Sequence, residues 1–160
     1  MTSKNILHTC CFIGRRKIEE SEGLTLSIRQ HIERLITEER VNTFLFGSRS
    51  DFDRLCLKTV SELQKQYPHI KRIYVRAEFP FIDDTYKAYL LRSYDETYYP
   101  EAILGTGRAV YIRRNRHMID NSRFCIVYLD EASAPRNSGT RQAVAYAKAK
   151  GAITVNIAEA

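Results

Sequence analysis

Short apolar runs alternate with longer amphipathic stretches along this chain. Ile6 to Ile13 is apolar with little polar alternation, the pattern of a strand buried on both faces. From Thr25 to Arg40 the period changes. Leu26, Ile28, Ile32, Leu35 and Ile36 share one broad face of a helix, with Thr25 or Ser27 at its start. Val41 to Phe46 reads as a second strand and Asp51 to Gln66 as a second helix. Phe52, Leu55, Val60 and Leu63 give that helix its apolar side, and Tyr67-Pro68 ends it. Ile70 to Ala77 is a third strand, with Ile73 and Val75 inward.

Beyond Ala77 the pattern loosens. Phe79 to Asp84 holds Pro80 and two acidic residues, and Thr85 to Ser93 is a short helix. A short strand is expected near Glu101 to Leu104, followed by a break at Gly105-Thr106-Gly107. Regularity then returns with a helix over Arg108–Asn121, a strand over Phe124–Leu129, a helix over Arg141–Lys150 and a strand over Ile153–Ile157. Strands that alternate with helices predict an α/β fold with a mostly parallel central sheet, right-handed crossovers and helices on both faces. With no internal repeat or linker, residues 1–160 read as a single domain.

In such a sheet, ligands bind at the carboxyl ends of the strands, near a reversal of strand order. The unusual residues fall in the loops on that edge. Gly14-Arg15-Arg16 follows the first strand, where a glycine lets backbone approach a ligand closely. Gly47-Ser48 follows the second. Asn137-Ser138-Gly139-Thr140 precedes the last helix, whose free N–H groups and dipole suit a phosphate.

Composition changes this picture only in part. The formal charge is +6, spread over loop and helix starts rather than one basic tract, which fits ligand phosphates as well as nucleic acid. Cys10, Cys11, Cys56 and Cys125 form no C-x-x-C pair, so no metal site is expected, and buried, reduced thiols are. No apolar run approaches the roughly 20 residues of a membrane span, and the first residues lack a signal-peptide pattern. A cytoplasmic protein without membrane contact is expected. Tyr86, Tyr89, Tyr94, Tyr98 and Tyr99 are dense enough either to line a cleft or subunit interface or to pack under a long excursion. No Walker motif, zinc motif or nucleophile elbow is present.

Three stretches carry a family resemblance. Cys10-Cys11-Phe12-Ile13-Gly14-Arg15-Arg16 resembles the C-C-F-T-G-H-R opening of the YpsA-like (DUF1273) branch of the SLOG superfamily. Arg113-Arg114-Asn115-Arg116-His117-Met118-Ile119-Asp120 resembles its R-R-N-R-x-M-V-D helix. Ser138-Gly139-Thr140-Arg141 with Tyr146-Ala147 resembles its G-G-T-R/K turn and following helix. The resemblance implies a Rossmann-like three-layer sandwich and a nucleotide-derived ligand. It implies that Gly14, Arg15, Arg16, Gly47, Ser48, Ser138, Gly139, Thr140 and Arg141 surround that ligand, with Arg114, Asn115 and Asp120 nearby.

The departures bear on chemistry. Ser48-Arg49-Ser50 makes the second loop bulkier and more basic than the branch's S-G-x-x-x-G-x-D, although Asp53 fits its last position. The LOG-type hydrolases of the superfamily carry glutamates after the phosphate turn, and Gln142 and Ala143 stand there instead. Asp51, Asp83, Asp84, Asp120 or Asp130 could supply a catalytic carboxylate from elsewhere, with Asp120 in the motif helix the best placed; a helix-terminal carboxylate paired to a nearby Arg is its alternative role. The expectation is therefore a sensor or sequestering protein for an ADP-ribose-like or cyclic nucleotide, requiring no cofactor. Two alternatives stay open: a nucleotide N-ribohydrolase, and a single-stranded nucleic-acid-binding protein. A homo-oligomer is expected in each case.

Overall fold

Alternating side chains on the central strands send two cores to opposite faces of one sheet. In the computed structural model, which describes residues 3–159, β1 spans Thr9–Ile13. Cys10 and Phe12 face one way and join Phe44, Phe46, Phe124 and Ile126, while Cys11 and Ile13 face the other and join Leu45, Cys125 and Val127. The remaining strands are β2 (Thr43–Phe46), β3 (Lys71–Val75), β4 (Glu96–Tyr98), β5 (Phe124–Val127) and β6 (Ile153–Asn156). All pairings are parallel, in the order β4-β3-β2-β1-β5-β6.

A short turn of helix, α1 (Ser3–Ile6), precedes β1. Helices α2 (Glu22–Glu38) and α3 (Asp51–Gln66) cover the first core through Ile28, Ile32, Phe52, Leu55, Val60 and Leu63. Helices α5 (Val110–Asp120) and α6 (Gly139–Ala149) cover the second through Met118, Ile119, Ala143, Val144 and Ala147. The short α4 (Asp84–Leu90) lies between β3 and β4 in the chain. This is the α/β, Rossmann-like three-layer sandwich the alternation predicts. Its strand order reverses at β1, which lies between β2 and β5. Among the described residues, no helix is long and apolar enough to cross a membrane.

Several boundaries differ from the sequence expectation. Helix α2 starts before Thr25, because Ser21 caps it: its Oγ accepts from Leu24 N at 3.1 Å. Leu26 is exposed, because two residues of α-helix turn it about 200° away from the buried Ile28. The chain reaches β1 only at Thr9, since residues up to Ile6 form α1. Glu101–Leu104 is not a strand. Pro100 lacks an N–H for a ladder, and Glu101–Ile103 makes a 3-10 turn instead. The fourth strand is Glu96–Tyr98, within the tyrosine-rich excursion, and pairs with Ile73–Val75.

The tyrosines divide between the two roles considered for them. Tyr94 is buried against Phe46 and Tyr74, at centroid distances of 5.9 and 5.0 Å. Tyr98 hydroxyl lies 2.8 Å from His117 Nε2. Tyr86 and Tyr89 instead line cavities beyond the sheet edge. All four cysteines are buried, and burial pushes the Cys10 and Cys56 thiols up.

Candidate functional site

Two glycines let the sheet edge close to within contact of the helices. A Cβ on Gly14 would fall 2.1 Å from Phe52 Cδ2, so β1 leaves the sheet directly against the start of α3. A Cβ on Gly47 would fall 2.7 Å from Arg114 Nε and 2.9 Å from Met118 Cε. The Phe52 side chain thus fills the space beside Gly14, and the Arg114 and Met118 side chains fill the space beside Gly47.

The loop after β2 is held from below by Asp53. Its Oδ2 accepts from Gly47 N at 3.3 Å and Ser48 N at 3.0 Å. Ser50 caps α3, its Oγ accepting from Asp53 N at 3.2 Å. Asp51 N donates to Arg16 O at 2.9 Å, and Ile18 N donates to Asp51 Oδ2 at 3.3 Å, joining the first loop to the second.

Arg114 closes the other side. It is buried, donating from Nη1 to Gly47 O and from Nε to Asn115 Oδ1 at 2.9 Å. Burial pushes Asp53 up to about 6, opposed by the Ser48 N–H, the Arg114 charge and the Gly47 N–H. Burial likewise lowers Arg114, opposed chiefly by the Asp53 carboxylate. Both side chains bond the Gly47-Ser48 backbone, Asp53 through the two N–H groups and Arg114 through the Gly47 carbonyl.

At the start of α6, Ser138 Oγ accepts from Arg141 N at 3.0 Å, and Thr140 Oγ1 donates to Gly14 O at 3.3 Å. The N–H groups of Gly139 and Thr140 have no acceptor among the described residues and are the free donors of this helix end. They face a cleft of about 440 Å³ at the carboxyl edge of the sheet. Gly14, Arg16, Gly47, Ser48, Arg114, Asn115, Gly139 and Thr140 come together around it. Those eight residues come from four separate stretches of the sequence.

Other expected residues lie elsewhere. Arg15 points away from the cleft, donating to Ser133 Oγ at 2.8 Å. Ser138 serves as the cap. Arg141 turns back onto its own loop, bonding Glu131 Oε2 at 2.5 Å and the carbonyls of Ala134 and Pro135 at 3.2 Å. Asp120 lies at the far end of α5, about 9 Å along the axis from Arg114 at 1.5 Å per residue. There it accepts from Tyr146 Oη at 2.7 Å and sits 3.9 Å from Lys150 Nζ. It is the helix-terminal carboxylate, not a cleft residue.

The sequence reading left Arg49, Ser50 and Met118 out of the site, and all three line the cleft with Asp53. Arg49 and Ser50 adjoin Ser48 in a loop already notable for its basic character. Met118 gave no signal beyond its helical phase. A second cavity of about 290 Å³ shares Arg16, Gly47, Ser48, Arg49 and Arg114 with the first. Its far wall is aromatic: Tyr74, Phe79, Tyr86 and Tyr111. Arg76 braces that wall by donating to Phe79 O at 3.1 Å and Thr97 Oγ1 at 3.0 Å. Phe79 adopts a φ of 58°, in the left-handed region, and packs edge-on against Tyr86.

No family model matches the chain, and no curated protein matches it.

Proposed function

We propose that this protein binds a phosphorylated, nucleotide-derived ligand, ADP-ribose-like or cyclic, and acts by sensing or sequestering it. The observation that carries the reading is the convergence on one cleft of the Gly14 and Gly47-Ser48 loops, the open N–H groups of Gly139 and Thr140, and Arg16. The phosphate goes to the α6 N-terminus and Arg16, which supply fixed donors and positive charge. The base goes to the adjoining aromatic wall, where Tyr86 and Tyr111 offer ring faces. A SLOG, YpsA-like ancestry accords with this division and is part of the proposal.

Binding without turnover is supported by the state of the carboxylates. Asp53 is the one acidic residue lining the main cleft, and its Oδ2 is committed to two backbone N–H groups. Glu78, in the adjoining cavity, accepts from Tyr111 Oη. Asp53 also supports a second reading, N-glycosidic hydrolysis, because a buried carboxyl raised to about 6 is poised for proton transfer. The cytoplasm is the proposed setting and a homo-oligomer the proposed working form.

Incubation with ADP-ribose, AMP and cyclic nucleotides, followed by a thermal melt and chromatography of the ligand, separates the two readings. The binding reading expects a raised Tm with the ligand recovered intact, and loss of that rise in Arg16→Gln. Release of free base supports hydrolysis instead. No rise with any of these ligands counts against both.

A further inference from the structure

On the far side of Arg49 lies another cavity, of about 450 Å³, which the proposed nucleotide site does not use. Three arginines from three different parts of the chain line it: Arg49 after β2, Arg54 on α3 and Arg92 after α4. No carboxylate lines it, and among the described residues none of the three arginines is in an ion pair. Other arginines of this chain, the half-buried Arg29 and the exposed Arg34, do find glutamates. Like charges gathered around one hollow repel each other, and among the described residues no carboxylate pairs with any of these three.

The three are also placed on ordered backbone. Arg54 N donates to Ser50 O at 2.9 Å, within α3, and Arg92 N donates to Tyr89 O at 3.3 Å, in the turn that ends α4. Arg49 lies over the Tyr89 ring, 5.3 Å from its centroid, with Nη1 3.5 Å from the Tyr89 hydroxyl. The buried side chains of Leu90 and Tyr94 form an apolar part of the lining, which strengthens electrostatic attraction nearby.

We infer that this cavity is a second anion site, taking a small, multiply charged phosphate group such as a pyrophosphate or triphosphate moiety. Each guanidinium presents five N–H donors in a planar fork that matches phosphate oxygens. Three forks around one hollow suit several adjacent phosphoryl groups better than one carboxylate. The site does not depend on a nucleotide occupying the first cleft. Arg49 is shared between them, so the two form one basic wall.

The test is calorimetric titration of the intact protein with inorganic tripolyphosphate at fixed ionic strength. Arg54→Gln/Arg92→Gln is compared with wild type and with Arg108→Gln/Lys148→Gln, an exposed pair that carries the same change in charge elsewhere. The expected result is at least a tenfold loss of affinity in the first double variant and under twofold in the second. In wild-type protein, the Nε–H resonances of Arg49, Arg54 and Arg92 are expected to shift during the titration. Equal losses in both double variants, or fixed arginine resonances, overturn the proposal. So does binding of a twelve-residue oligothymidylate to these arginines without binding of tripolyphosphate. Because Arg16→Gln is expected to leave tripolyphosphate affinity at this site within twofold, failure here is distinguishable from failure of the nucleotide cleft.

Discussion

The buried guanidinium of Arg114 donates to the carbonyl of Gly47, and Gly47 has no side chain because Arg114 occupies that space. This contact locks the second loop of the cleft to α5. It also makes the cleft sensitive to changes that touch no ligand.

Gly47→Ala places a methyl group against the Arg114 and Met118 side chains. Overpacking of this kind costs about 1–3 kcal/mol. Arg114→Met removes the donor to Gly47 O, leaving that buried carbonyl unpaired, and takes away a charge that favours the Asp53 carboxylate, together a cost of about 3 kcal/mol or more. Urea unfolding of both variants is expected to give that order, with Arg114→Met the less stable.

Asp53 makes stability depend on pH in a defined window. Its carboxyl is raised from 3.8 to about 6 in the folded protein. The native state therefore holds a proton that the unfolded state has lost between those values, and this contribution to stability falls as pH rises through them. Measured against Asp53→Asn, wild-type stability is expected to decline by on the order of 3 kcal/mol from pH 4 to pH 7. A parallel pH dependence in the two proteins contradicts the assignment.

Ser138 and Thr140 are neighbours with separable roles. Ser138→Ala removes the α6 cap and is expected to cost about 1 kcal/mol in chemical denaturation, while Ser138→Gly costs only a few tenths. Thr140→Val removes the hydroxyl that donates to Gly14 O. It keeps the Thr140 N–H, so it is expected to cost about 1 kcal/mol of stability in the same assay while nucleotide affinity changes by less than about threefold.

Much of this arrangement is legible in the sequence because backbone constraints leave marks. Gly14, Gly47 and the Ser138-Gly139-Thr140 turn are visible as residues whose chemistry suits strand ends and helix starts, and all stand at the sheet edge. Side-chain direction in loops leaves no such mark. Arg15 and Arg16 are adjacent, yet one bonds Ser133 while the other lines the cleft. Arg141 follows Thr140 and folds back onto Glu131. Arg114 is placed near the cleft by the resemblance alone; its burial leaves no mark in the sequence, since it bonds Gly47, 67 residues away in the chain. Asp120 shares a helix with Arg114, but the helix carries it away from the site. The strand Glu96–Tyr98 is too short to show a period of its own.

The most direct test of the nucleotide cleft is a titration of ¹⁵N-labelled protein with ADP-ribose, following the backbone amides. The account predicts saturable shifts concentrated at Gly14, Gly47, Ser48, Gly139 and Thr140, with Asp120 and its neighbours unmoved. Saturable shifts that leave those five amides fixed, or no shifts up to millimolar ADP-ribose, AMP and cyclic nucleotides, contradict it.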